Sequence, residues 1–153
     1  ADSYEAIVQS EQVYGAVLTM QSAQRGFLLT GKDSYLEPYS TGWEQFKNAI
    51  ASARSHGAHD AAQVARYDDI ETRVEAWRTD VMDVYIQTRR DVDAGKKMFA
   101  ELDALLASGR AKAEADAIKA VLMEAEARER ELLGERDQAM IDSSTMLSRL
   151  VFV

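Results

Sequence analysis

The sequence predicts an all-α protein that folds as an up-down four-helix bundle, with long first and last helices and a short extra helix near residues 96–108. Three observations predict this fold. The 153 residues include one proline and eight glycines, whereas Ala, Glu, Leu, Arg and Gln, which favour helices, are abundant. Apolar residues recur at spacings of three and four, the period of a helix face. Stop and start signals divide these stretches into rods with short connections.

The first helix is predicted from about Ser3 to Thr30. At ~28 residues it would be ~42 Å long and would need packing partners along its length. Gly31 suits the left-handed conformation that often follows a helix C-terminus. The apolar residues form two adjacent stripes, which consist of Tyr4, Ile7, Tyr14, Leu18 and Leu28, and of Val13, Val17, Met20 and Phe27.

The second helix is predicted from about Ser34 to Ser55. Ser34 and Glu37 have the spacing of a capping box, in which each side chain covers a free amide of the first turn. Pro38 falls in that turn, where a missing backbone donor costs least. The buried face would carry Tyr35, Tyr39, Trp43, Phe46 and Ile50.

Asp60 is predicted to cap a third helix that begins at about Ala61. Its apolar repeat consists of Val64, Tyr67, Ile70, Val74, Trp77, Val81, Val84 and Tyr85. Between Arg89 and Lys97 polarity rises and Gly95 interrupts the pattern, so a bend is expected there. A short helix through Met98, Leu102 and Leu105 should follow.

The last helix is predicted from about Arg110 to Leu150. At ~40 residues it exceeds most globular helices and is typical of coiled coils and membrane-proximal stalks. Its inward residues would be Ile118, Val121 or Leu122, Ala125, Leu132, Met140, Leu147 and Leu150. An up-down bundle of four rods places both chain termini at one end.

Composition narrows the function. The length suits a single domain over residues 1–153. The net charge of −8 comes from interleaved acidic and basic residues, which argues against nucleic-acid binding because phosphates need a clustered positive patch. The absence of cysteine excludes disulfides and thiolate chemistry.

The apolar residues at the end of the sequence suggest a link to a membrane. No apolar run reaches the ~18 residues of a membrane span. The sequence nevertheless ends in Leu150-Val151-Phe152-Val153, which we interpret as the first residues of a transmembrane helix. An ordinary apolar C-terminus is the alternative.

Several polar residues lie on or beside the predicted apolar stripes, namely Gln21 and Arg25 in the first helix and Glu129 and Arg136 in the last. If these helices run antiparallel from a common level, facing positions sum to about 154. Arg25 would then pair with Glu129, and Arg136 would reach Gln21. A buried charge needs such a partner. The pair could serve as a packing and register device, which we favour, or as a signalling switch.

Other candidate sites have a structural interpretation that we favour. His56 and His59 form a His-x-x-His pair, but without a full ligand set a polar loop is expected rather than a metal site. The aromatics Tyr35, Tyr39, Trp43, Tyr67 and Trp77 could line a ligand pocket, although helical spacing favours core packing. Enzyme motifs are absent from the sequence, so we expect no catalytic residue, no metal and no cofactor.

Four stretches resemble one known family. They are Arg25-Gly26-Phe27-Leu28-Leu29-Thr30-Gly31 with Tyr35-Leu36-Glu37-Pro38-Tyr39; Ser108-Gly109-Arg110-Ala111-Lys112; Asp116-Ala117-Ile118-Lys119; and Glu129-Arg130-Glu131-Leu132-Leu133-Gly134-Glu135-Arg136. Together they resemble the CHASE-type extracellular sensory domain, third class, of bacterial receptor histidine kinases.

This resemblance implies a periplasmic or extracytoplasmic sensor domain between two transmembrane helices of an inner-membrane receptor. It further implies a homodimer that responds to an unknown small ligand or membrane stimulus and passes the signal through its first and last helices. A sensor histidine kinase is the preferred receptor; a chemoreceptor or a cyclase with the same module, or a ligand-free helical scaffold, are the alternatives.

Overall fold

The fold is an all-helical bundle in the computed structural model, which describes residues 2–151. Helix α1 spans Asp2–Thr30 and α2 spans Leu36–His56, preceded by a 3-10 turn at Asp33–Tyr35. Helix α3 spans Ala61–Trp77, a π-helical turn covers Arg78–Met82, and α4 spans Asp83–Asp93. The short α5 spans Phe99–Ala107 and α6 spans Arg110–Val151. The predicted fold class is confirmed.

Cross-helix contacts show how the rods run. His56 at the end of α2 lies 3.3 Å from Asp2 at the start of α1, so these helices are antiparallel. The third rod, made of α3, the π turn and α4, is antiparallel to α6, because Gln63 contacts Glu129 and Trp77 contacts Ala111. Four rods therefore alternate in direction.

The core lies along the axis of this bundle. Trp77, Tyr67, Phe27 and Phe46 are among its largest fully buried side chains. On α1 the stripe of Val13, Val17, Met20 and Phe27 is fully buried, whereas Tyr4 and Leu18 of the other predicted stripe are largely exposed. Helix α1 packs most extensively on α2, and this contact buries the stripe of Val13, Val17, Met20 and Phe27.

Local signals decide most helix ends. Gly31 has φ 68°, the left-handed conformation predicted after α1. The Asp60 side chain accepts a hydrogen bond from the Ala62 amide at 2.9 Å, which confirms the predicted cap of α3. The predicted capping box of Ser34 and Glu37 is wrong. Ser34 lies inside a 3-10 turn at Asp33–Tyr35, and α2 begins after it without a side-chain cap.

Helix α6 is longer than the bundle. Its residues are packed as far as Glu129, and every residue from Asp137 to Val151 is exposed. The predicted inward positions Met140, Leu147 and Leu150 are therefore wrong for the single chain. The segment 130–151 extends ~33 Å beyond Glu129 at 1.5 Å per residue.

The start of α1 and the departure of α6 share one end of the bundle. Asp2 contacts His56, and His59 in the following turn contacts Glu129. We call this the exit end and the opposite one the distal end. The terminal residues Ala1, Phe152 and Val153, on which the predicted placement of both termini partly depends, lie outside the described residues. Within residues 2–151 no helix is both long and apolar enough to cross a membrane.

Candidate functional site

A buried carboxylate occupies the exit end. The Glu129 side chain is fully buried, and its Oε1 accepts a hydrogen bond from Gln63 Nε2 at 2.9 Å. The same nitrogen donates to the Ala125 carbonyl at 2.8 Å. Glu129 Oε2 has no hydrogen-bond partner within residues 2–151, and the His59 imidazole lies near it, with Nε2 at 3.6 Å. A charge-bearing group thus lies where α6 leaves the bundle.

Other polar and aromatic side chains surround Glu129 at the exit end. Arg128 Nε donates to Asp60 Oδ2 at 3.0 Å, and this guanidinium holds the pKa of Asp60 below its usual value. Burial, assisted by the nearby Glu129 carboxylate, raises the pKa of Tyr67 to about 12. A Cβ at Gly57 would lie 2.6 Å from the Tyr67 ring, so only glycine fits there. We call Glu129, Gln63, His59, Asp60 and Arg128 the exit cluster.

A cavity of about 380 Å³ lies at the distal end, between α1, α4, α5 and the start of α6. We call it the distal cavity. Its volume is at the lower end of the range for small-molecule sites. Arg25, Lys112 and Asp116 are its charged lining residues. The remaining lining residues are Tyr14, Leu18, Gln21, Gln24, Leu28, Leu29, Tyr85, Leu106, Gly109 and Ala111.

Hydrogen bonds hold the elements around this cavity. Tyr85 on α4 donates to the Leu105 carbonyl at 2.8 Å and so fixes the end of α5. The Trp77 indole donates to the Ala111 carbonyl at 3.0 Å and fixes the start of α6. The main-chain walls of the cavity are therefore tied to the third rod.

The structure separates the residues predicted to pair between the first and last helices. Gln21 and Arg25 line the distal cavity near Lys112, whereas Glu129 lies 17 residues further along α6, about 26 Å away. Arg136 lies beyond the bundle, half-buried. The predicted pairs of Arg25 with Glu129 and of Arg136 with Gln21 are therefore wrong.

The register between α1 and α6 explains this error. The Lys119 ammonium lies over the Tyr14 ring, so facing positions of the two helices sum to about 133 instead of the predicted 154. The protruding part of α6 accounts for the difference between these sums.

The five aromatic candidates do not surround one cavity. Trp77, Tyr67 and Tyr39 are buried in the core. Trp43 is stacked on Phe46 with ring centroids 5.4 Å apart. Tyr35 covers Gly26, where a Cβ would collide with the ring. None of these five lines the distal cavity in the described part of the chain.

Two glutamines were missed by the sequence interpretation. Gln63 precedes Tyr67 by four residues and Gln24 follows Met20 by four, so both continue buried stripes. Gln24 Nε2 donates to the Met82 carbonyl at 3.0 Å. A polar residue in register with an apolar stripe was the signal that could have identified them.

Comparisons with known proteins agree with this architecture. The crystal structure of the Rhodopseudomonas palustris histidine kinase HK9 sensor domain matches with a TM-score of 0.70 and 23% sequence identity, over 86% of this chain and 98% of that chain. At this identity the likeness shows the fold. No curated protein sequence matches significantly. The family model described as the CHASE3 domain matches residues 1–139.

Proposed function

Because the chain belongs to the CHASE3 domain family, a type of extracellular sensor domain, we propose that it is the signal-sensing part of a bacterial transmembrane receptor. The receptor is a sensor histidine kinase of a two-component system, located in the inner membrane with this domain outside the cytoplasm. The domain itself performs no catalysis; the kinase modules lie elsewhere in the receptor.

One observation carries this proposal. Helix α6 is a single helix that lines the distal cavity with Lys112 and Asp116, contributes Glu129 to the exit cluster, and then leaves the bundle. A displacement of its distal end is therefore carried along one rod to the exit end. Helix α1 contacts α6 and lines the same cavity with Gln21 and Arg25.

The signal is a change in the arrangement of α6 relative to the other rods. A stimulus can bias the receptor only by favouring one arrangement over another. The hydrogen bond between Gln63 and Glu129 belongs to one register of α6, because a one-turn slide of about 5.4 Å would put Ala125 or Leu133 at that level. In this proposal Glu129 fixes the register of α6 against the third rod. Arg136 is the polar side chain that we assign to the same signalling region, in the turns of α6 that follow Glu129.

The partner of the exposed segment is a second copy of the same chain. Leu133, Met140 and Leu147 recur every seven residues, and Leu150 follows Leu147 by three. Met140, Leu147 and Leu150 are between 62% and 71% exposed in the single chain. This row supplies one apolar position per heptad, while the positions three residues on are Arg136, Ser143 and Leu150. We place the row at the helix–helix contact of a homodimer.

Insertions into the exposed part of α6 test the transmission. One alanine inserted after Asp137 rotates the downstream helix by about 100°, whereas seven insertions nearly restore its phase. The bundle should keep its melting temperature, because every described residue beyond Asp137 is exposed. Kinase autophosphorylation in membranes should change with one insertion and return with seven. Equal activity of both variants and the parent receptor would refute transmission through this helix.

A further inference from the structure

The distal cavity differs in charge from the rest of the molecule. The chain has a net charge of −8, yet the charged lining residues of the cavity are two cations and one carboxylate. Lys112 Nζ lies 2.9 Å from Asp116 Oδ2 in an ion pair whose side chains are 82% and 61% exposed. Such an exposed pair contributes little and exchanges easily. Arg25 remains as a cation at the mouth of the cavity.

Arg25 has no salt-bridge partner in the part of the chain that the structure describes, although 26 acidic residues occur in the sequence. Its guanidinium keeps its donors available for a planar anion, which it can bind through two parallel hydrogen bonds. Arg25 is exposed at the rim of the cavity, so its guanidinium is accessible to an external anion.

The walls next to this cation are apolar. Leu28 and Tyr85 are buried, and Leu18, Leu29 and Leu106 present a large exposed area for contact. Tyr85 donates its hydroxyl proton to the Leu105 carbonyl, so its ring is fixed as part of the wall. The cavity therefore combines an apolar body with one cationic edge, as sites for small amphipathic ligands do.

We propose that the distal cavity binds a small apolar monocarboxylate, with its hydrocarbon body against the leucine and tyrosine walls and its carboxylate on Arg25. Lys112 is the second cation and exchanges Asp116 for the ligand. This proposal rests on the proposed sensor function and names the ligand class of that sensor. A monoanion matches the lining charge, whereas an ammonium group would face two cations.

Three probes that share a phenyl body test the ligand class by calorimetry on the domain: phenylacetate, phenylacetamide and phenethylamine. Phenylacetate should bind and raise the melting temperature by mass action. The neutral amide should bind at least about tenfold more weakly, because it lacks the charge-assisted hydrogen bonds. The amine should not bind. Equal affinity for acid and amide, or no binding of the acid, would overturn the proposal.

Variants locate the site. Arg25→Gln should weaken phenylacetate binding at least about tenfold, and Arg25→Lys should give an intermediate value, since a lysine lacks the bidentate geometry. Arg73→Gln is the matched control, because Arg73 is an exposed cation on α3 that pairs with Asp69 far from the cavity. An equal effect of Arg73→Gln would refute the site. Loss of carboxylate binding would leave the insertion experiment on α6 unaffected, so the two proposals fail separately.

Discussion

The side-chain amide of Gln24 donates a hydrogen bond to the Met82 carbonyl at 3.0 Å, across 58 positions of sequence. Gln24 lies in the half of α1 that lines the distal cavity, and Met82 ends the π-helical turn of the third rod. In that turn the Asp83 amide bonds to the Arg78 carbonyl, five residues back. π turns often mark functional positions. Here the turn is joined directly to the cavity wall.

Gln24→Met should destabilise the domain by about 1 kcal/mol, because it leaves the side-chain volume nearly unchanged and removes a buried hydrogen bond between α1 and the third rod. Urea denaturation measures the loss. Gln138→Met is the control, since Gln138 is exposed on the protruding part of α6 and bonds to Asp142. Equal stability of the two variants would show that the Gln24 bond contributes nothing.

Tyr39→Phe should cost about 1.5–3 kcal/mol, the usual range for a hydrogen bond to a charged group. The Tyr39 hydroxyl donates to Asp83 Oδ1 at 2.7 Å and joins α2 to α4. Burial and this hydrogen bond raise the pKa of Tyr39. The same denaturation experiment measures the cost, and a Tyr39→Phe variant as stable as the parent would contradict the role of the bond.

Tyr67→Phe should behave differently, because the buried Tyr67 hydroxyl makes no hydrogen bond of good geometry within residues 2–151, although the Ser10 hydroxyl is close enough to lower its pKa. At neutral pH its removal should change stability by less than about 0.5 kcal/mol or increase it.

The pKa of Tyr67 is raised from 10.0 to about 12 by burial. Because the folded protein holds this proton more tightly than the unfolded chain, the corresponding stability is present below pH 10 and is lost as pH rises toward 12. The Phe variant should therefore lose less stability over that interval than the parent. Parallel pH profiles would contradict the assignment.

Gln63→Ala should destabilise the domain by about 2–4 kcal/mol, because it opens a cavity and leaves the buried Glu129 carboxylate without its hydrogen-bond donor. Adding Glu129→Gln should recover part of this loss, since a neutral amide costs less to bury unpaired. Gln87→Ala on the exposed face of α4 serves as the control and should stay within about 0.5 kcal/mol of the parent. If Gln63→Ala matched that control, the exit cluster would have no structural role.

Leu147→Cys should form a disulfide-linked dimer in membranes that contain the receptor, because Leu147 lies on the row that we place at the helix–helix contact of the homodimer. Residues 1–153 contain no cysteine, so the domain adds no competing thiol, and the parent receptor on the same non-reducing gel gives the background. Thr145→Cys, roughly 160° away around the helix, is the matched control. Equal cross-linking of both variants would contradict the proposed face.

Sequence periodicity predicts the rods of this fold because each buries one apolar stripe over many turns. Gly31 and Asp60 mark helix ends through local backbone chemistry, which acts within a few residues. The predicted pairing of Arg25 with Glu129 was wrong because it assumed that the whole of α6 lies inside the bundle, and the sequence does not show where α6 leaves it. Nothing in the apolar repeat distinguishes Leu122, which packs on the same chain, from Leu147, which does not.

The sequence did not predict the π turn either. Val81 and Tyr85 follow Trp77 at four-residue steps, as an uninterrupted α-helix would have them. The widened turn depends on partners from distant parts of the chain. Gln24 bonds to Met82, and Arg78 stacks over Trp43 at 4.3 Å. The spacing of apolar residues within the third rod does not predict these contacts.

The π turn also lets one rod serve two neighbours. A ladder with one additional residue rotates α4 by about 100° relative to a continuous α-helix. The apolar side of the rod consequently faces α6 along α3 and turns toward α1 and α5 along α4. A single deletion inside Arg78–Met82 would straighten the rod and aim the α4 half at the wrong partner.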